Sequence, residues 1–386
     1  MYKVGVITGS RADYGIMKKL IYKLNNDKNI LLYIVATGMH LEKKYGYTYR
    51  QIENDGFKIN KKIKIDLLDS NKGTIVRSMS LLQNELSNLF NEINFDLLII
   101  LGDRFEMLAT ASAALIYNIP ICHLHGGEKT LGNFDEYIRH SITKMSHLHL
   151  VSTEEYRNRI IQLGENPNMV VNTGSLGVEN ILNTKILSKR QLLKDLNVDD
   201  IENYYVVMYH PETLNNKTDA EIQVNQLILA LSMVEENIIF IGSNSDVGSD
   251  NIMKKILSFV NENKNSYYFT SLASNQFYSL ISHSLGLIGN SSSGIIEVPS
   301  LNKPTLNIGE RQKGRLSGPS VINVNCEANS ILDGIKAMRN VTDFYNPYMQ
   351  SNSTDKAYEA IKIALSNNID TKKDFYDLTF KSKHLL

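Results

Sequence analysis

LGLIGNSSSGIIEV, residues 285–298, decides how the chain is read. Residues 285–288 form a short apolar run of the kind that makes a buried strand, and 295–298 read as the first turn of a helix. Between them, Gly289-Asn290-Ser291-Ser292-Ser293-Gly294 supplies a turn of small residues. Strand, small-residue turn and helix together present free backbone N–H groups and the positive end of a helix dipole to an anion. Three serine hydroxyls add donors at the same place, so the expected ligand is a phosphate or diphosphate, with Glu297 able to take the hydroxyls of a ribose. The same residues also suit a plain helix N-cap, for which one serine suffices. A serine-hydrolase elbow does not fit, because G-x-S-x-G needs glycine at 293 and Ser293 stands there.

Working outward, short apolar runs alternate with longer amphipathic segments. Strands are expected at 3–8, 31–36, 97–101, 120–124, 148–152 and 170–172, with helices at 16–25, 72–91, 107–117, 138–145 and 153–163. After a segment at 174–194 that ends in a charged helix, the rhythm restarts. Strands follow at 204–208, 238–241, 266–269, 285–288, 305–307 and 321–324, and helices at 220–234, 251–261, 276–282 and 330–339. Apolar strands in a βαβα rhythm predict an α/β protein made of two Rossmann-like, doubly wound domains facing a cleft. The boundary is expected near 175–185, dividing the chain into 1–175 and 176–386. A polar break at 345–354 precedes a last helix at 355–366. Ligands in such sheets lie beyond the carboxyl ends of the strands.

A chain of 386 residues exceeds one ordinary core, which agrees with two domains. Lys plus Arg equals Asp plus Glu, 41 each, so no global field draws the chain to nucleic acid or an acidic membrane, and any anion site is local. Cys122 and Cys326 are too few for a disulfide framework or a cysteine-rich metal site. The start runs straight into a strand rather than a signal peptide, and no apolar run approaches a membrane span; a reduced, cytoplasmic protein is expected.

Several strand ends carry candidate chemistry. Thr8–Gly15 is a glycine-containing turn without G-x-G-x-x-G spacing, and the second strand ends in Thr37-Gly38 without an acid for a ribose, so a nicotinamide cofactor is disfavoured. Arg11 is either a phosphate clamp or a surface arginine. Asp103, at the mouth of strand 97–101, reads as a catalytic carboxylate rather than a cap, because Glu106 and Met107 already suit a helix start. His123 and His125 would point the same way if their strand continued, but no further ligand completes a zinc site. Glu128 follows Gly126-Gly127 and is free to turn toward a ligand. With Asp103, Asp135 and Glu136 it makes a carboxylate cluster, in which like charges are expected to raise some pKa values. His210, before Pro211, is a phosphate donor, a proton carrier or a structural histidine; residues 309–315 bring cations beside the serine turn.

Taken together, TGSRADYG (8–15), TGMH (37–40), LGDRFE (101–106), HLHGGEKTLGNFDEYIRHSITKMSHLHL (123–150), HPETL (210–214), GSNSDVGSD (242–250), IGNSSSGIIEVPS (288–300) and IGERQKGR (308–315) resemble the hydrolysing UDP-N-acetylglucosamine 2-epimerases of sialic-acid biosynthesis, the NeuC family. The resemblance implies a GT-B-like fold whose last helix crosses back to the first domain. It implies conversion of UDP-GlcNAc and water to UDP and N-acetylmannosamine, through anti elimination of UDP and hydration of a 2-acetamidoglucal. It implies no metal or other cofactor, and a homodimer or homotetramer. By motif match, Asp103, Glu128, Asp135 and Glu136 are the catalytic cluster, with Asp103 and Asp135 foremost. Some relatives carry Glu where this chain has His125, so that role falls to His125 or Glu128. His210 lies at the diphosphate, and Arg11, Arg104, Asn244, His283, Ser291, Ser292, Glu297 and Arg311 match UDP-contact positions, with Glu297 on the ribose. Rivals are the same chemistry on UDP-2,4-diacetamido-2,4,6-trideoxyglucose for legionaminic acid, a non-hydrolysing epimerase, a GT-B glycosyltransferase and a non-enzymatic UDP sensor.

Overall fold

Among the described residues, thirteen strands form two sheets in which every neighbouring pair is parallel. The structure is a computed structural model and describes residues 1–67, 71–130, 134–211, 217–242 and 249–379. The first sheet contains β1 (Tyr2–Thr8), β2 (Ile30–Thr37), β3 (Ile59–Ile63), β4 (Leu97–Leu101), β5 (Ile121–Leu124), β6 (Leu148–Val151) and β7 (Val170–Asn172), in the order 3-2-1-4-5-6-7. The second contains β8 (Tyr204–Met208), β9 (Asn237–Ile241), β10 (Ser266–Phe269), β11 (Leu287–Gly289), β12 (Thr305–Ile308) and β13 (Val321–Val324), in the order 10-9-8-11-12-13. Each is a doubly wound sheet whose strand order reverses beside its first strand, leaving a crevice at that point. This is the α/β, GT-B-like class that the sequence predicts.

The helices around the first sheet are α1 (Arg11–Asn26), α2 (Tyr49–Asn54), α3 (Lys72–Glu92), α4 (Phe105–Ile116), α5 (Asp135–Met145) and α6 (Glu154–Gln162). Next come α7 (Leu176–Leu182) and α8 (Lys189–Asp195), then α9 (Lys217–Leu231), α10 (Ser249–Glu262), α11 (Ser274–His283), α12 (Ser292–Ile296), α13 (Ala328–Met338) and α14 (Ser353–Ser366). Central strands are found where the apolar runs are unbroken: β4, Leu-Leu-Ile-Ile-Leu, is buried along its whole length. The edge strand β3, Ile-Asn-Lys-Lys-Ile, is missing from the sequence expectation. Its lysines suit an exposed edge and break the apolar run that marks the others. The first helix starts at Arg11, five residues before the periodic stretch, because Ser10 caps it: Ser10 Oγ accepts from Asp13 N at 3.3 Å.

α14 returns to the first sheet. Ala357, Ile361, Ala364 and Leu365 join the core that also holds Val4, Leu20 and Ile99. Tyr358 donates to Asp27 at 2.7 Å. The two sheets meet through Tyr156 of α6 and the buried Tyr348, whose hydroxyls are 2.6 Å apart. Among the described residues, no helix is long and apolar enough to cross a membrane.

Candidate functional site

Both reversal points open on one cavity of about 320 Å³. Ser10–Asp13 after β1 and Gly102–Arg104 after β4 form one wall, and His210 after β8 and Ser291–Ser293 after β11 face them. Nothing in 3.6 or 2.0 periodicity places these residues together; the sheet order does.

The first wall is organised by Arg139. Asp135 and Glu136 occupy the first turn of α5, where the helix dipole favours negative charge. Arg139 and His140 follow one turn later, within reach of Glu136. Arg139, 1% exposed, donates Nη1 to Glu136 Oε2 at 2.7 Å and to Glu128 O at 2.9 Å. It donates Nε to Asp103 Oδ2 at 2.9 Å, a bond that Nη2 doubles. Glu136 also accepts Thr130 N at 2.6 Å and faces His140 Nε2 at 3.1 Å. Burial works against the ionised form of Glu136, but the His140 and Thr130 hydrogen bonds and the Arg139 charge outweigh it and hold the carboxyl at about 2. Burial also opposes ionised Glu128, yet its buried pair with Arg315 and its contact with His125 hold it at about 2.

The expected rise in pKa within this cluster is therefore corrected for Glu128 and Glu136: arginines interleave the carboxylates, so attraction exceeds repulsion. The raised acids lie elsewhere on the same cavity. Asp13 is pushed up to about 6, chiefly by burial, with Glu106 adding to it and Arg104 opposing. Glu297 is raised by burial against hydrogen bonds from Ser293 and Tyr278.

The second wall is organised by an amide. Asn290 Oδ1 accepts His210 N at 2.7 Å and Asn290 Nδ2 donates to His210 O at 2.8 Å, which locks the histidine's backbone. The Asn290 carbonyl accepts Arg311 Nη1 at 3.1 Å and Gln312 Nε2 at 3.0 Å. Gly289 has φ +141°, and a Cβ there would lie 1.9 Å from Met208 O, so only glycine lets β11 lie this close to β8. α12 has five residues, so its dipole is small, and the anion-binding capacity rests on the opening amides of Ser292 and Ser293, the hydroxyls and the nearby cations. Arg11 reaches the cavity from the opposite side, makes no hydrogen bond or carboxylate pair among the described residues, and is pulled below its ordinary value by burial.

Asp103, His125, Glu128, Asp135, His210, Arg11, Arg104, Ser291, Ser292, Glu297 and Arg311 all line the cavity. Asp103 is no helix cap: the residue before α4 is Arg104, and the Asp103 carboxylate faces Arg139. Three expectations change. Glu136 does not line the cavity and instead orients Arg139. His283 ends α11 outside the cavity, with Nε2 on Leu187 O at 2.7 Å. His123 and His125 diverge, because β5 stops at Leu124: His123 Nε2 bonds Gly102 O at 2.8 Å inside the fold, while His125 turns out at φ +63°. Asn244 lies outside the described residues. Among the described residues, no group of three or more His, Cys, Asp or Glu side chains is placed to hold a metal.

Sequence reasoning left Asp13, Arg139 and Tyr278 without a role, gave Asn290 only a place in the small-residue turn and counted Arg315 only among the cations beside it. Arg139 carried a signal, one turn after an acidic helix start; the partners of the others become visible only when distant segments meet.

A family model described as UDP-N-acetylglucosamine 2-epimerase matches residues 22–362. The polysialic acid biosynthesis protein P7 of Escherichia coli is 44% identical over 387 residues, with 98% of each chain covered. The GDP/UDP-N,N'-diacetylbacillosamine 2-epimerase (hydrolyzing) of Campylobacter jejuni is 41% identical over 322 residues, with 83% of each chain covered. Among solved structures, Methanocaldococcus jannaschii UDP-GlcNAc 2-epimerase, in complex with UDP-GlcNAc and UDP, matches with a TM-score of 0.80 at 18% identity, over 94% of this chain and 99% of that one, a likeness of fold.

Proposed function

Because this chain belongs to the UDP-N-acetylglucosamine 2-epimerase family, we propose that it is a hydrolysing 2-epimerase acting on UDP-GlcNAc for sialic-acid synthesis. The products are UDP and N-acetylmannosamine. The observation that carries this proposal is one cavity with two unlike walls, carboxylates at Asp103 and Asp135 facing an anion-binding turn at Ser291 and Ser292. The turn, Arg11, Arg311 and His210 hold the diphosphate, and Glu297 takes the ribose hydroxyls. Departure of UDP builds positive charge at C1, which the first-wall carboxylates stabilise. One group takes the C2 proton, and another returns a proton to the opposite face as water adds to C1 of the glycal. The resident groups suffice for this chemistry, so no cofactor is invoked. Residues 1–175 and 176–386 act as the two domains, with α14 tying the second to the first. A cytoplasmic homo-oligomer is part of the same proposal.

A second substrate is favoured by a specific feature. Met39, Tyr45, Ile75, Phe105 and Phe134 give the cavity an apolar side, suited to a 6-deoxy, 4-acetamido sugar, and the Campylobacter relative bears the name of such an activity. Competition between UDP-GlcNAc and UDP-2,4-diacetamido-2,4,6-trideoxyglucose decides between them. Free N-acetylmannosamine equal to UDP released supports the first proposal. Preferential consumption of the diacetamido sugar moves the substrate and keeps the chemistry, and UDP-N-acetylmannosamine as sole product overturns the hydrolytic step.

A further inference from the structure

His125, Glu128 and Arg315 make a chain of contacts from one wall of the cavity to the other. His125 leaves β5 at φ +63°, its N–H donating to Leu150 O at 3.0 Å. Gly127 then packs on α6, where a Cβ would lie 2.5 Å from Tyr156 O. This tight turn brings His125 Nδ1 to 3.4 Å from Glu128 Oε1. Glu128 Oε2 pairs with Arg315, and both side chains are buried, 4% and 6% exposed. Two buried atoms are left over: among the described residues, His125 Nε2 and Glu128 Oε1 have no hydrogen-bond partner. Both residues line the cavity.

We infer that His125 Nε2 is the base that takes the C2 proton, with Glu128 and Arg315 as positioning residues that fix its tautomer. This rests on the elimination proposed above. A neutral imidazole has one N–H and one lone pair. An ionised carboxylate beside Nδ1 keeps the proton there and leaves the Nε2 lone pair to the cavity, and it stabilises the imidazolium that forms. The loose 3.4 Å contact is of the kind that tightens when substrate binds. Glu128 itself is a poor base, since its pair with Arg315 outweighs burial and lowers its affinity for a proton. In the step, the Nε2 lone pair bonds to the C2 proton, the C2–H electrons become the C1=C2 double bond, and the C1–O electrons leave on the β-phosphate oxygen of UDP. Water then adds through its oxygen to C1, a protonated first-wall carboxyl gives its proton to C2 on the other face, the proton that the water loses restores that carboxyl, and the imidazolium proton passes to solvent.

The charged and titratable groups around His125 come from four elements. Glu128 shares its loop, Glu297 acts from the end of α12, and Arg139 of α5 and Arg315 act on it through Glu128; Tyr156 backs the turn from α6.

Imidazole ¹⁵N spectra of the full-length, UDP-saturated protein across pH test the positioning without turnover. The expected state is Nδ1–H for His125, with E128Q moving the population toward Nε2–H and E128D restoring Nδ1–H. If E128Q does not fold because Arg315 is left buried without its partner, E128Q/R315M carries the same test. H125Q is expected to lose about 100-fold or more in kcat, with KM changed less than about threefold. An Nε2–H tautomer, a tautomer indifferent to Glu128, or wild-type kcat in H125Q overturns the inference. A wild-type enzyme that releases no UDP from either sugar nucleotide overturns the elimination, and with it the role as base, while the spectra still decide the tautomer.

Discussion

The two walls of the cavity are built from different materials. The first is ionic: Arg139 and Arg315 separate Asp103, Glu128 and Glu136 and hold two of these carboxyls at about 2. The second is an amide scaffold, with Asn290 bonding His210 at both backbone groups and meeting Arg311 and Gln312 at its own carbonyl. The ionic wall sets protonation states, which proton transfer requires. The amide wall sets positions and leaves backbone N–H groups free, which binding a diphosphate requires. Under the proposed function chemistry and binding are separable, and substitutions on one wall should leave the other's readout in place.

The sharpest break comes from Asp103→Asn. We expect kcat to fall by about 10³ or more, while UDP affinity measured by calorimetry stays within about threefold; a large loss of UDP affinity would contradict the division of labour. Arg139→Met removes the buried cation that hydrogen-bonds the part-buried Asp103 and Glu136 carboxylates, so urea unfolding should show a loss of about 1.5–3 kcal/mol. An unchanged midpoint would mean that the cluster is not held together by its charges. Asn290→Ala removes the two side-chain hydrogen bonds that lock the His210 backbone beside the proposed diphosphate position, and keeps the Asn290 carbonyl that Arg311 and Gln312 meet. UDP binding should weaken about tenfold, corresponding to about 1.4 kcal/mol, with the pH dependence of kcat unaltered.

The smallest effect tests the sign of the electrostatics. Glu128 and Glu136 have folded pKa values below their ordinary 4.5, so they stabilise the fold above that value and the contribution is lost as pH falls toward 2. Asp13 is the opposite case. Its folded value near 6 lies above 3.8, so the folded state binds the extra proton and stability falls as pH rises from 3.8 through 6. Asp13→Asn should therefore be more stable than wild type at pH 8, by about 1–2 kcal/mol, and flatter between pH 4 and 6. A destabilised D13N at pH 8 would mean that Asp13 is ionised and paired in the fold.

Much of this was legible in the sequence because parallel sheets need unbroken apolar strands. Strands at 97–101, 170–172, 204–208, 266–269 and 321–324 match to the residue, and each candidate at a carboxyl end of β1, β4, β8 or β11 is on the cavity. Edge strand β3 was not legible, because its lysines erase the signal. Helix starts shifted where a capping side chain, as at Ser10, outweighs periodicity. Ionic partners were the least legible part. Glu128 and Arg315 are 187 residues apart, and their pairing reverses the pKa shift that a cluster of like charges predicts. His283 shows the converse: a residue expected at a UDP-contact position is bonded to Leu187 O outside the cavity.

The central claim is that the ionic wall moves a carbon-bound proton while the amide wall holds the departing UDP. Proton NMR of the reaction with UDP-GlcNAc in deuterium oxide tests it directly. We expect UDP and free N-acetylmannosamine in equal amounts, the sugar carrying deuterium at C2. Free sugar that keeps its C2 proton and its original configuration would mean simple hydrolysis without elimination, and would contradict the account.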